Sequence, residues 1–160
     1  MKRLYVLRHG KSSWEQPSIA DFDRPLLPKG KRRTAKIAAF LQEKGMIPEL
    51  IVSSPAKRAA QTARIVADFL NCKLVFDENL YHAHSAAVAD VVTAQSDEIN
   101  SLMIVGHNPG LTSFANEYMS AGTDWLPTSA LAYAAFDSDQ WPAFPLARII
   151  HNFVITPKTI

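Results

Sequence analysis

The chain has one cysteine, no long hydrophobic run and little net charge, and each shortage excludes a class of protein. With Cys72 alone, no disulfide can form within the chain, which favours a reducing compartment. No apolar run approaches the length of a membrane span, and the first one is too short for the core of a signal peptide. The net charge of +2 is too small to indicate a nucleic-acid surface. We therefore expect a cytoplasmic protein that binds neither nucleic acid nor a membrane.

The remaining composition is typical of a globular protein. With 160 residues, 48% of them hydrophobic, we expect a single domain over residues 1–160 with a sizeable core. Short apolar runs at 4–7, 49–54, 73–76 and 102–105 alternate with helical patterns, of which the clearest covers 29–44 and stops at Gly45. Two further apolar segments, 130–136 and 148–155, have no helix between them and should pair antiparallel. The pattern predicts a three-layer α/β/α sandwich with a mostly parallel central sheet, an antiparallel edge strand and no large insertion domain.

Cationic and imidazole side chains follow three of these strands. Arg8, His9 and Gly10 end the first strand, Arg58 lies in the first turn of the helix after the second, and His107 follows the fourth. Parallel strands bring their carboxyl ends to one edge of a sheet, so these residues should meet in one pocket. A neutral histidine can act as a nucleophile, arginine can fork two hydrogen bonds onto a phosphoryl group, and glycine lets the backbone approach a ligand. The free N–H groups of the helix near Pro109 should point to the same edge, which favours a dianion.

These motifs, taken in order, resemble the histidine phosphatase superfamily and its small SixA-type phosphohistidine phosphatase branch. The resemblance rests on five segments from the first strand to about Phe136: Leu7-Arg8-His9-Gly10-Lys11, Asp21-x-x-Arg24-Pro25-Leu26, Ser53-Ser54-Pro55 with Arg58 and Gln61-Thr62, Val105-Gly106-His107-Asn108-Pro109-Gly110, and Pro127-Thr128-Ser129-Ala130. It implies a phosphoglycerate mutase-like fold in which His9 becomes phosphorylated. The same resemblance implies that Arg8, Arg58 and His107 surround the phosphate, and it implies no metal or organic cofactor.

The mechanism expected from these residues is a double displacement. Neutral His9 attacks phosphorus in line, and water then hydrolyses the phosphohistidine intermediate. Arg8, Arg58 and a protonated His107 would stabilise the charge on the equatorial oxygens, with Arg24 and Gly10 as further phosphate-binding candidates.

The proton donor is the open part of this mechanism. Family members that act on phosphorylated sugars or glycerate usually carry an acidic residue after the third strand, often on a helical insertion that this chain lacks. Glu78 and Asp21 are the candidate donors, with Asp77 nearby, although each is also explained as a solvated loop carboxylate. Imidazole is a better leaving group than an alkoxide, which favours phosphohistidine on a protein as the substrate. The partner would be a phosphohistidine carrier or phosphotransfer domain, whose acidic surface could contact Arg24 and the cations of residues 29–33.

Two other functions fit the same residues. One is a phosphatase or mutase of the same superfamily that acts on small phosphomonoesters. The other is a phosphate-binding regulator without activity, which would need the cations but not a nucleophilic histidine. A panel that compares a phosphohistidine protein with small phosphomonoesters separates the enzymes, and trapping phosphate on His9 excludes the regulator.

Overall fold

A single six-stranded sheet forms the centre of the computed structural model, which describes residues 1–160. The strands in chain order are β1 (Lys2–Arg8), β2 (Leu50–Ser53), β3 (Lys73–Phe76), β4 (Ser101–Gly106), β5 (Leu131–Phe136) and β6 (Ile149–Ile155). Their order across the sheet is β3-β2-β4-β1-β5-β6. The first four strands in this order are parallel, while β5 is antiparallel to both of its neighbours. The expected mostly parallel sheet with antiparallel pairing at one edge is confirmed.

Four α-helices cover the two faces of the sheet. They are α1 (Pro28–Glu43), α2 (Lys57–Leu70), α3 (Ser85–Thr93) and α4 (Gly110–Met119). Short 3₁₀ turns lie at Asp21–Asp23, Glu78–Leu80 and Trp141–Leu146. The helix expected over 29–44 is confirmed within one residue at each end, and Gly45 follows it in the left-handed conformation with φ of +67°. None of the helices combines the length and the apolar character needed to cross a membrane.

Side chains of β1 alternate between two buried layers. Leu4 and Val6 pack into the core beneath α3 and α4, and Tyr5 and Leu7 pack into the core beneath α1 and α2. A strand that is buried on both faces reads as a continuous apolar run, which explains why β1 shows no polar alternation in the sequence. The strand is therefore fixed in the middle of the sheet, and its carboxyl end places Arg8 and His9 at the edge of the sheet.

Candidate active site

The largest cavity, of about 680 Å³, lies at the carboxyl ends of the parallel strands. It receives His9 after β1, Arg58 from the first turn of α2 and His107 after β4. Further charged and aromatic side chains that line it are Arg8, Lys11, Trp14, Asp21, Arg24, Arg33, His82 and His84. Five of the lining residues are lysine or arginine and one is a carboxylate. A concave site with this charge balance is suited to a dianion.

His9 lies deep in the cavity and is neutral. Its side chain is almost fully buried, at 7% exposed, and Nδ1 donates a hydrogen bond to the Gly10 carbonyl at 2.7 Å. Because a carbonyl only accepts, Nδ1 carries the proton and Nε2 keeps its lone pair. Burial lowers the pKa of His9 from 6.5 to about 4, and the charges of Arg58 and Arg8 act in the same direction. The geometry therefore leaves Nε2 unprotonated at neutral pH, as a nucleophile requires.

His107 lies beside His9, with 5.2 Å between the ring centroids. Its Nε2 is 2.7 Å from the Ser54 hydroxyl, which is fixed at the end of β2. Burial, followed by repulsion from His9 and Arg58, lowers the pKa of His107 from 6.5 to about 3. Without a bound anion His107 is therefore neutral, because burial and the neighbouring groups disfavour the imidazolium. The protonated His107 expected from the sequence concerns the site with a phosphoryl group bound, and it stays a prediction.

Four buried side-chain nitrogen atoms in the protein have no hydrogen-bond partner, and all of them belong to residues that line this cavity. They are Arg8 Nε, Arg24 Nε and Nη1, and His107 Nδ1. Buried polar groups are nearly always paired, so a cluster of unpaired ones marks a site that a ligand completes. Burial and the charge of Arg58 lower the pKa of Arg8. Donors concentrated in this way indicate an anionic ligand.

Asp21 joins the loop after β1 to α2 and to the loop after β3. Its carboxylate accepts hydrogen bonds from Arg24 at 2.7 Å, from Arg58 at 3.1 Å and from the Tyr81 hydroxyl at 2.7 Å. The Asp21 carbonyl also accepts from Arg58 at 2.7 Å. Although burial alone would raise the pKa of Asp21, these bonds from Tyr81 and the arginines lower it. Asp21 is therefore an ionised acceptor that orients two arginines, a poor state for a proton donor.

Two residues expected at the site are not among those that line the cavity. Glu78 is exposed in the 3₁₀ turn after β3 and makes no side-chain hydrogen bond to the cavity residues. Gly10 is buried against α1, where an added Cβ would lie 3.0 Å from the Gly30 carbonyl oxygen. Its amide donates to Thr62 and its carbonyl fixes the proton of His9, so its contribution is to position the nucleophile.

The amide groups at the start of α4 are also placed differently from the expectation. The amide of Leu111 donates to the His107 carbonyl, that of Thr112 to the Asn108 side chain, and that of Ser113 to the Pro109 carbonyl. These hydrogen bonds are made within the loop and the helix itself. These three amides are therefore not available to an anion, unlike the free N–H groups expected at the start of α4.

Three aromatic residues at the site were not singled out from the sequence. Tyr81 contacts the edge of His107, with 5.6 Å between centroids, and stacks on His82 at 3.9 Å. Trp14 lies over the Arg24 guanidinium, whose Cζ is 3.3 Å from the ring centroid. Tyr81 and His82 follow the third parallel strand just as His9 and His107 follow the first and fourth. That topological position is the signal that could have identified them.

The fold and the site together define an α/β protein with a basic cavity at the carboxyl ends of its parallel strands and a buried histidine inside it. A model of the histidine phosphatase superfamily (branch 1) matches residues 4–98, which is more than half of the chain. The protein belongs to this superfamily.

Relatives and solved structures agree with this family. An uncharacterised chloroplastic protein of Arabidopsis thaliana is 32% identical over 91% of this chain and 72% of its own length. A structure of a SixA-type protein from Agrobacterium tumefaciens, named as a phosphohistidine phosphatase, superposes with a TM-score of 0.81 at 30% identity, covering 94% of this chain and 96% of the other. The structure of a protein histidine phosphatase SixA in complex with tungstate shares the fold, with a TM-score of 0.77 at 22% identity over 98% and 97% of the two chains. The suspected SixA-type resemblance is confirmed.

Proposed function

We propose that this protein is a phosphatase that removes the phosphoryl group from phosphohistidine on a protein, through a phosphohistidine intermediate on His9. The observation that carries the proposal is the state of His9, which is neutral, held by the Gly10 carbonyl and surrounded by guanidinium groups. Its unprotonated Nε2 is available for in-line attack on phosphorus. Arg8 and Arg58 balance the charge of the phosphoryl oxygens, and His107 lies beside them.

The leaving group is inferred from the carboxylates of the site. The one carboxylate that lines the cavity, Asp21, is held ionised by Tyr81, Arg58 and Arg24. A site in which no carboxylic acid is placed to protonate an alkoxide favours a substrate whose leaving group is less basic. Phosphohistidine releases an imidazole and satisfies this condition. The similarity to the Agrobacterium tumefaciens SixA-type structure supports the same substrate class.

A protein partner is supported by the charge around the mouth of the cavity. Lys11 and Arg33 line it, and α1 begins beside it with a run of cations, Lys29, Lys31 and Arg32. None of these cations takes part in an ion pair, since the four ion pairs of the protein are formed by other residues. We infer that acidic groups of the phosphorylated partner contact this basic rim, which is defined as Lys11, Lys29, Lys31, Arg32 and Arg33.

The proposal is tested by a substrate panel with the full chain. A phosphohistidine carrier protein, phenyl phosphate and a phosphorylated sugar are compared at equal concentrations, and kcat/KM is expected to be highest for the carrier protein. His9→Ala should abolish turnover of all three, and His151→Ala, which changes an exposed residue of β6, should retain it. Quenched reactions should trap an acid-labile phosphoryl group on His9. Preference for the sugar phosphate would favour the small-molecule phosphatase, and binding without turnover would favour the regulator.

The basic rim is tested by reversing its charge. The double variant Lys29→Glu/Arg32→Glu is expected to raise KM for the carrier protein about tenfold while leaving kcat/KM for phenyl phosphate unchanged. Lys73→Glu is the matched control, because this exposed lysine starts β3 at the opposite end of the sheet from the cavity. Equal losses on both substrates, or no loss on either, would show that the rim does not recognise the partner.

A further inference from the structure

Departure of a basic leaving group requires a residue that delivers a proton to the leaving atom. Among the residues that line the cavity, those with a proton to give are Lys11, Asp21, His82, His84 and His107. Asp21 is held ionised, and His107 lies beside the nucleophile, with 5.2 Å between the ring centroids of His9 and His107, so neither is placed to give a proton to an atom that departs towards the mouth. Histidine is the side chain that most often transfers protons in enzymes, which favours an imidazole over the ammonium of Lys11. The candidate proton donors that remain are His82 and His84, the two imidazoles that follow β3.

His82 is held at the rim of the cavity, and His84 is not held in the same way. The ring of His82 stacks on Tyr81, with centroids 3.9 Å apart and planes inclined by 35°. Tyr81 is in turn fixed by its hydrogen bond to Asp21 and by its edge contact with His107. His84, by contrast, is the exposed residue that precedes α3, and it makes no side-chain hydrogen bond or ring contact.

The backbone of His82 supports a functional role for this side chain. Its φ is +57°, in the left-handed region that residues with a Cβ adopt at a cost of order 1 kcal/mol. The ring makes no hydrogen bond within the protein, so no structural hydrogen bond accounts for this conformation. Strained backbone of this kind concentrates at active sites, where it directs a side chain towards a ligand.

The depth of the two histidines fits the geometry of in-line displacement. His9 is 7% exposed and lies deep in the cavity, whereas His82 is exposed at its edge. In-line attack places the leaving group on the side of phosphorus opposite the nucleophile, and therefore towards the mouth of the cavity. A rim imidazole is on the side where the leaving atom departs.

We propose that His82 is the general acid that protonates the leaving group in place of a carboxylic acid, so that the site also hydrolyses phosphomonoesters, with a lower kcat/KM than the phosphohistidine protein. In the first step the bond between phosphorus and Nε2 of His9 forms and the bond from phosphorus to the leaving oxygen breaks. That oxygen keeps the bonding electron pair and takes a proton from the His82 imidazolium. In the second step His82 accepts a proton from the attacking water, the electron pair of the P–N bond returns to His9, and inorganic phosphate leaves.

The test is a series of aryl and alkyl phosphates that differ in the basicity of the leaving group. The inference rests on the nucleophilic role proposed for His9, but the series contains no phosphohistidine and does not depend on that substrate. His82→Gln is expected to lower kcat about 10²-fold for phenyl phosphate and more for an alkyl phosphate. For p-nitrophenyl phosphate, whose leaving group needs little proton assistance, the expected loss is at most about threefold. The plot of log kcat against leaving-group pKa should therefore be steeper for the variant than for the parent protein.

His84→Gln is the matched control, since it removes an imidazole from the same rim. Its plot should have the slope of the parent protein, and an equally steep slope would overturn the assignment to His82. A uniform loss across the whole series in His82→Gln would also overturn it, because that result indicates a positional role. Absence of phenyl phosphate turnover by the parent protein, while phosphohistidine is hydrolysed, refutes the proton donor and leaves the proposed function intact. Absence of a trapped phosphoryl group on His9 of the parent protein would instead refute the proposed function.

Discussion

Acidification should destabilise this protein through His9 and His107, well above the pH at which its carboxylates titrate. Burial and the nearby arginines hold the pKa of His9 at about 4 and that of His107 at about 3, against 6.5 for an imidazole in the unfolded chain. Between pH 6.5 and these values the unfolded chain binds protons that the folded chain does not. Stability therefore falls as the pH falls through this range.

The expected magnitude follows from these pKa values. At pH 5 each imidazole is mostly protonated in the unfolded chain and still neutral in the folded one. The free energy of unfolding should fall by about 2 kcal/mol for each histidine between pH 7 and pH 5, or about 4 kcal/mol for both. Asp21 contributes little in this range, because its lowered pKa keeps the carboxyl ionised in the folded protein and its ordinary value is 3.8.

Urea unfolding at pH 7, 6 and 5 measures this effect. His9→Gln and His107→Gln should each reduce the loss of stability over this range by about half. His151→Gln, which removes an exposed imidazole from β6, should keep the full loss. A parent protein that is equally stable at pH 7 and pH 5, or variants that retain its pH dependence, would contradict the assignment of two neutral buried imidazoles.

Three further substitutions test residues that orient the site or stabilise the fold. Asp21→Asn should raise KM for a phosphorylated substrate about tenfold, because it weakens the shared acceptor that orients Arg58, and steady-state kinetics reports the change. Gly110→Ala should lower the free energy of unfolding by about 1–3 kcal/mol in thermal unfolding, since the added Cβ would clash with the Ala83 carbonyl oxygen. Lys2→Met should lower the free energy of unfolding by about 3 kcal/mol in urea unfolding, because the buried Lys2 ammonium donates hydrogen bonds to three oxygen atoms. It should leave kcat unchanged, because Lys2 lies at the end of β1 that is remote from the cavity.

Hydrophobic patterning was sufficient to predict the strands and their grouping, but not the full order of the sheet. The apolar run of β1 predicted a strand buried on both faces, and Leu4 and Tyr5 do enter opposite cores. The antiparallel pairing of β5 with β6 followed from the absence of a helix between them. That β5 also pairs with β1 depends on packing between segments far apart in the chain, which local periodicity does not encode.

The candidate site was predictable where a residue follows a parallel strand, and less so where several loops meet. His9, Arg58 and His107 were expected together because strand topology alone brings them to one edge. The state of Asp21 was not predictable, since it depends on donors that come from α2 and from the loop after β3. The neutral state of His107 without a bound anion was not predictable for the same reason, because burial and repulsion act only in the folded protein.

An anion bound in the cavity should reverse the protonation state of His107. At a separation of about 4 Å and an effective dielectric constant of 20, a dianion and an imidazolium attract each other by about 8 kcal/mol. Raising the pKa of His107 from about 3 to 6.5 requires about 5 kcal/mol. Binding of tungstate at pH 6 should therefore take up about one proton at His107, because in the proposed attack Nε2 of His9 directs its lone pair at the central atom of the anion and stays unprotonated. Calorimetry in two buffers of different ionisation enthalpy measures this uptake. His107→Gln should abolish the uptake and His9→Gln should retain it, and the opposite pattern would place the proton on the nucleophile and contradict the proposed attack by neutral His9.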